Sequence, residues 1–178
     1  MRVPQLTKDI WFPPANVSTS EGIVAFGGDF RMERLLLAYR SGIFPWPMKG
    51  YPLLWFSPDP RFVVVPELAH LPRSLRKRMR KNPYEIRMDT AFSQVIRACG
   101  ATERPGQRGT WVIPELTRGY ENLHEHGFAH SIEAWHEGEL VGGLYGVSLG
   151  AIFFGESMFA SAPDASKVAF ATLLGNLV

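Results

Sequence analysis

Ser131-Ile132-Glu133-Ala134-Trp135-His136, Glu139-Leu140-Val141-Gly142-Gly143-Leu144-Tyr145-Gly146-Val147 and Ala151-Ile152-Phe153-Phe154-Gly155-Glu156-Ser157-Met158-Phe159 decide the fold. The three stretches are rich in aromatic and β-branched residues, and the turn signals Glu137-Gly138 and Leu149-Gly150 separate them. Strands joined by such short links pair as an antiparallel meander. Upstream, Tyr84-Glu85-Ile86-Arg87-Met88 alternates like a further strand. Asp89 or Thr90 then stands where a cap would open a helix that carries Phe92, Val95, Ile96 and Cys99 on one face. Pro114 suits the first turn of another helix, with Leu116, Tyr120 and Leu123 facing inward and Gly127 ending it. Downstream, Asp164 is placed to cap a last helix through Ser166, Val168 and Leu173. Helices on either side of an antiparallel meander make a layered α/β (α+β) fold. The uncharged run from Leu140 to Gly155 is short for a membrane span and is broken by four glycines, so no membrane partner is expected.

The first sixty-odd residues differ. They hold most of the prolines, in Trp11-Phe12-Pro13-Pro14, Phe44-Pro45-Trp46-Pro47 and Trp55-Phe56-Ser57-Pro58. Proline fixes φ and removes a donor, so these segments read as turns that hold aromatic rings at set angles. Between them, Gly27-Gly28 turns the chain and Asp29 caps a helix. Met32, Leu35, Leu36 and Tyr39 follow helical spacing until Gly42 stops it. The reading is a small N-terminal domain over residues 1–65 and a second domain over 66–178, with a Gly/Arg-rich loop from Glu103 to Gly109.

With 178 residues, 46% hydrophobic and 20% charged, the chain can bury a core. Cys99 is its single cysteine, which excludes an internal disulfide and suits a reducing cytoplasm. Met1 to Gln5 lead into no apolar run of the kind a signal peptide needs. Charge is uneven. Arg73, Arg76, Lys77, Arg78, Arg80 and Lys81 follow one another between Pro72 and Pro83 with no acid among them. Elsewhere 13 basic residues meet 17 acidic ones, a net of −4 against +2 for the whole chain. Leu75 and Met79, four apart, can rest on a core while the cations fan outward, so the run suits a polyanion or a solvated helix face.

Chemistry-bearing residues are few. His124, His126 and His130 are close in sequence, but the first two point to different sides of a helix end and lack a metal-ligand spacing. No stretch matches a phosphate-binding glycine loop, and Cys99 lies on an apolar face. Glu156 interrupts an apolar strand beside Gly155, where a carboxylate needs a partner, a cleft or a raised pKa. A salt bridge to Arg61 or Lys167 would be its structural explanation. Trp46 and Trp111 each follow turn-forming residues. As presented rings they could stack on unpaired bases; as buried ones they would plug a core.

At these positions the sequence resembles the leucyl/phenylalanyl-tRNA–protein transferase family. The resemblance is carried by Gly27-Gly28-Asp29, Tyr39-Arg40-Ser41-Gly42-Ile43-Phe44-Pro45-Trp46 and Trp55-Phe56-Ser57-Pro58-Asp59-Pro60-Arg61. Gly109-Thr110-Trp111, His130-Ser131-Ile132-Glu133 and Leu140 to Val147 continue it, followed by Gly155-Glu156-Ser157-Met158-Phe159 and Ala165-Ser166-Lys167. These segments run in order through nearly the whole chain.

The resemblance implies a small N-terminal domain followed by an acyltransferase domain of the GNAT type. It implies transfer of Leu or Phe, and Met less readily, from aminoacyl-tRNA to proteins beginning with Arg or Lys, in an N-degron pathway. By position, Trp46 and Trp111 would hold the terminal adenosine, and Leu144, Phe153, Met158 and Phe170 would line the pocket for the amino-acid side chain. The six cations of the basic run would grip the acceptor stem. Tyr39, Tyr120 and Glu156 match polar positions near the ester and the incoming amine, with Glu156 as the catalytic candidate. No cofactor or metal is implied, and a monomer is expected. Family members continue through a further strand bearing an Asp-Cys-Gln motif, whereas this sequence ends at Val178, so the acyltransferase domain is expected to be incomplete at its C-terminal end. Two rival readings are an RNA-binding remnant without activity and an acyl-CoA-dependent N-acetyltransferase. The second would need a phosphate loop where Ala160-Ser161-Ala162-Pro163-Asp164 stands.

Overall fold

The computed structural model describes residues 3–81, 83–102 and 110–177. In chain order its strands are β1 (Gln5–Leu6), β2 (Ile23–Gly27), β3 (Phe44–Trp46), β4 (Leu54–Phe56), β5 (Glu85–Met88), β6 (Ala129–His136), β7 (Glu139–Leu149) and β8 (Ile152–Ala160). Its helices are α1 (Met32–Arg40), α2 (Arg73–Arg80), α3 (Phe92–Ala101), α4 (Pro114–Glu125) and α5 (Ala165–Asn176). The loop 103–109 lies outside the described residues. The chain forms two compact units, divided at Phe62/Val63: one holds described residues 3–62 with 110–123, the other 63–102 with 124–177. The sequence reading, by contrast, divides the chain at residue 65 and groups segment 110–123 with the second domain.

The first unit is built on a four-stranded sheet in the order β1-β2-β4-β3, parallel between β1 and β2 and antiparallel elsewhere. Here the structure corrects the sequence. Phe44-Pro45-Trp46 and Trp55-Phe56 are strand residues, not turns. Pro45 is tolerated because β3 is an edge, where a missing N–H breaks no ladder on its open side. Alternation then sorts the rings. Trp55 is fully buried and its indole Nε1 donates to the Gly27 carbonyl at 2.8 Å, while Phe44, Trp46 and Phe56 take the other face.

Asp29 also acts differently from a simple cap. Helix α1 begins at Met32, and the Asp29 carboxylate accepts from the Arg31 backbone N–H at 3.1 Å and the Arg31 Nε at 2.9 Å. It also accepts from Nε of the fully buried Arg34 at 3.2 Å, and Arg34 Nη2 donates to the Thr7 carbonyl at 2.7 Å. Gly28, at φ +78, lies over that guanidinium; a Cβ there would come within 3.1 Å of Arg34 Nε. Gly28 is thus favoured by the arginine beneath it as well as by its positive φ.

The second unit carries the expected meander, extended at its edge by β5: order β5-β6-β7-β8, antiparallel throughout. Glu137 and Gly138 both adopt positive φ, +51 and +83, as a two-residue hairpin turn demands. Neighbouring glycines of β7 reveal the layers. A Cβ on Gly142 would meet Ala165 of α5 at 2.5 Å, and one on Gly143 would meet Val95 of α3 at 3.4 Å. Consecutive strand residues face opposite sides, so α5 covers one face and α3 the other. Leu75 of α2 joins the α5 face with Tyr84, Ile132, Ala134, Leu144 and Val168.

Two expected side-chain caps do not form. Neither Asp89 nor Thr90 caps α3. The fully buried Glu133 reaches from β6 and accepts from the backbone N–H groups of Thr90 and Ala91, each at 3.1 Å. It also accepts from the hydroxyls of Ser131, at 2.6 Å, and Thr90. Asp89 sits at φ +57 and accepts from the Ser131 N–H at 2.8 Å and pairs with His130 Nδ1 at 2.7 Å. Asp164 stands at the N-cap of α5 and its backbone carbonyl accepts from the Val168 N–H at 2.8 Å, but its side chain makes no capping hydrogen bond.

Two stability measurements test this account. Glu133→Ala leaves two N–H groups at the α3 start without their acceptor and is expected to cost about 2–3 kcal/mol in denaturant unfolding. The second concerns acid. Burial alone would raise the Asp29 carboxyl, but the hydrogen bonds from Arg34 and Arg31 outweigh it and hold the group below its ordinary value. A depressed carboxylate stabilises the fold above its unfolded pKa, and that contribution disappears as pH falls through the folded one. Asp29→Asn is therefore less stable than the parent at neutral pH, and the gap closes on acid titration.

Candidate functional site

In the first unit the two expected indoles meet. Trp46 and Trp111 stack with ring centroids 5.3 Å apart and planes 19° from parallel. Trp111 is buried, whereas Trp46 is 40% exposed. The stack has its own foundation. Phe44 meets Trp46 edge-on at 6.3 Å and stacks on Phe56 at 6.2 Å, as the Phe44–Phe56 register places them. The Arg61 guanidinium covers Phe44 at 4.7 Å while its Nη1 donates to the Gly42 carbonyl at 2.8 Å. Phe44, Phe56 and this role of Arg61 were missed in the sequence. Period-two spacing of Phe44 and Trp46 was the available signal, and the adjacent prolines masked it.

Tyr39 and Tyr120 also come together, through a hydrogen bond between their hydroxyls and an edge-to-face contact of the rings at 6.5 Å. Both are buried, so the pair ties α1 to α4. Gly119, the neighbour of Tyr120, lets this happen: a Cβ there would meet the Phe30 carbonyl at 2.8 Å. Trp111 lies three residues before α4, so whatever fixes α4 also fixes the indole.

In the second unit Leu144, Phe153 and Phe170 belong to one apolar cluster on the α5 face. Leu144 is buried, and Phe153 and Phe170 are partly so. Phe153 lies over Gly146, where a Cβ would come within 2.6 Å of its ring. Met158 pairs with Leu144 in the β7–β8 register and is 42% exposed. Glu156 proves not to lie on a buried strand. It is half-buried on β8, the edge of the described sheet, at a register break in which Tyr145 pairs with Ser157 and Gly146 with Gly155. Glu156 is the extra residue of a β-bulge, a device that re-aims a side chain.

Helix α2 presents the basic run. Leu75 is buried, Met79 packs on the core, and Arg73, Arg76, Lys77 and Arg80 line an open groove with Ser74. Their spacing of i, i+3, i+4 and i+7 is a single helical stripe. Arg78 turns away to Asp164, with its Nε 3.5 Å from Oδ2, and Lys81 caps the helix C-terminus.

The histidines are occupied locally. His124 Nδ1 lies 2.8 Å from the Ala129 carbonyl, which calls for a proton on that nitrogen, and its ring stacks on Phe92 at 4.3 Å. Cys99 is buried. Among the described residues there is no group of three His, Cys, Asp or Glu side chains that could hold a metal ion, and no helix is long and apolar enough to cross a membrane.

Comparison with known proteins adds the family. Residues 63–178 match the family model described as leucyl/phenylalanyl-tRNA protein transferase, and residues 28–59 match the one for its N-terminal domain. The chain is similar to a leucyl/phenylalanyl-tRNA–protein transferase of Myxococcus xanthus, 63% identical over 161 residues that make up 90% of this chain and 69% of the relative. Proteins of that name from Nitratidesulfovibrio vulgaris and Syntrophobacter fumaroxidans are 54% and 51% identical, across 94% and 98% of this chain and 71% and 74% of their own lengths. A match of this extent and identity places the chain in the leucyl/phenylalanyl-tRNA protein transferase family.

Proposed function

We propose that this chain transfers Leu or Phe, and Met less readily, from aminoacyl-tRNA to proteins that begin with Arg or Lys, marking them for N-degron-dependent degradation. It acts in the cytoplasm as a monomer. The observation that carries this reading is the Trp46–Trp111 stack with its solvent-exposed Trp46, in a chain whose relatives are named for an aminoacyl-tRNA substrate. The two rings already touch, so the terminal adenine stacks on the exposed side of Trp46 instead of entering between them. The stripe on α2 supports the same substrate by gripping phosphates. Leu144, Phe153, Met158 and Phe170 offer an apolar wall to a Leu or Phe side chain.

The chemistry asks little of the protein. An α-amine with a pKa of about 7.7–8.0 is roughly a tenth neutral at pH 7. The neutral amine attacks the ester carbonyl; the C–N bond forms, the C–O bond to the ribose breaks, and the amine's proton passes to the leaving hydroxyl or to solvent. The ester stores the energy that the new peptide bond needs. Holding amine and ester together supplies several kcal/mol. Glu156, re-aimed by its bulge, selects the positive side chain of the acceptor and helps accept the proton. Tyr39 and Tyr120 act as positioning residues through α4. An acyl-CoA donor is disfavoured because Asp164 puts a carboxylate at the start of α5, where a pyrophosphate would sit.

Labelled Leu-tRNA and a peptide beginning with Arg provide the test. Label is expected to reach the peptide, at a rate that rises with pH up to the amine pKa. Trp46→Ala removes about 1–3 kcal/mol of stacking, a loss of roughly 5- to 150-fold in transfer at limiting tRNA. Glu156→Gln is expected to lose the preference for Arg or Lys over neutral N-termini. Salt-sensitive tRNA binding without any transfer would overturn the reading in favour of a binding protein.

A further inference from the structure

Asp164 occupies a place where its usual task is plain, yet it does something else. An acid just before a helix normally accepts from the backbone N–H two or three residues on. Asp164 adopts φ +61 and makes no such bond. Its Oδ1 accepts instead from Lys167 Nζ at 3.0 Å, and its Oδ2 faces Arg78 Nε at 3.5 Å. Those two bonds and charges hold the carboxyl below its ordinary value, the Lys167 hydrogen bond most of all.

The choice of cations is informative. Arg73, Arg76, Lys77 and Arg80 share the open stripe of α2. Arg78 leaves that stripe, five residues and some 140° around the helix from Arg73. Lys167 stands one turn into α5. Both are accessible, with side chains 39% and 67% exposed, and both are long enough to swing toward a polyanion. Among the described residues, Asp164 is the acid seen to engage both.

We propose that Asp164 is a counter-charge that withholds Arg78 and Lys167 from phosphate, confining nucleic-acid contact to the α2 stripe. The inference rests on the reading of α2 as the phosphate-gripping surface. Each added phosphate contact steepens the salt dependence of binding, by a slope of about 0.7–0.9, and therefore tightens indiscriminate binding to any polyanion. An enzyme that must release each tRNA after one transfer gains from keeping that term small. The predicted sign separates this role from a structural one: neutralising Asp164 strengthens binding, whereas loss of a structural ion pair would leave it unchanged or weaken it.

The experiment measures deacylated tRNA binding by anisotropy between 50 and 200 mM salt. Asparagine and glycine both tolerate a positive φ, so Asp164→Asn and Asp164→Gly preserve the backbone, and thermal unfolding checks that each is folded. Both are expected to bind more tightly at the low-salt end and, for each phosphate newly engaged, to lose about threefold more affinity than the parent between 50 and 200 mM salt. Arg78→Gln alone is expected to change affinity less than the same substitution made in the Asp164→Asn background, where it removes gained affinity. Unchanged or weaker binding by both folded Asp164 variants overturns the proposal. Arg76→Gln with Arg80→Gln tests the underlying reading separately: if that pair leaves binding intact, α2 is not the phosphate surface, whatever Asp164 does.

Discussion

Strand β7 can be approached closely from both sides because it is stripped of side chains at Gly142, Gly143 and Gly146. Ala165 of α5 comes so near to Gly142 that a single methyl group there would overlap it, and Val95 of α3 sits against Gly143 from the other face. Much else in the second unit follows from that proximity. It lets α5 bring Val168 and Ala169 onto Leu144 and Ile132, and it lets Phe153 fold over Gly146 instead of standing away from the sheet. The apolar wall proposed for the transferred side chain is therefore a by-product of missing Cβ atoms. A close-packed interior transmits even a methylene's change in volume, so a side chain added at these glycines would disturb the whole cluster.

The first unit reaches order by a different route. Its sheet is short, and rings and one buried guanidinium replace the large apolar layers of its neighbour. Trp55 and Arg34 are fully buried, and both are tied to backbone carbonyls, Gly27 and Thr7. Polar anchors of this kind cost desolvation and return definition of geometry. An aromatic platform needs that definition, since stacking depends on the attitude of the ring as much as on its presence.

What could be read from sequence was what repeats locally. The turn signals that divide residues 131–159 mark the three strands of the meander, and the 92-95-96-99 spacing reports a helix face whose four residues are all buried. Trp46 and Trp111 drew notice together because each follows turn-forming residues, and the family resemblance then gave both the same expected role. Features with remote partners stayed hidden. Glu133 closes the start of α3 from more than forty residues away, and the bulge at Glu156 exists only in the register of β8 against β7. The prolines around Trp46 and Trp55 speak for turns until the edge position of β3 is known. Helical spacing alone takes Arg78 off the stripe of its neighbours, but its partner Asp164, far along the chain, is seen only in the structure.

The Glu133 carboxylate also bears on the order in which the chain acquires structure. Residues 90–92 emerge from a ribosome well before residue 133, so the first turn of α3 is synthesised without the acceptor that completes it. Until β6 docks, its leading N–H groups have water for company. Such a sequence-distant contact adds to the chain-closure entropy that slows assembly. Helix α3 therefore matures together with the meander it packs on, and a nascent chain that ends short of β6 holds only a frayed version of it.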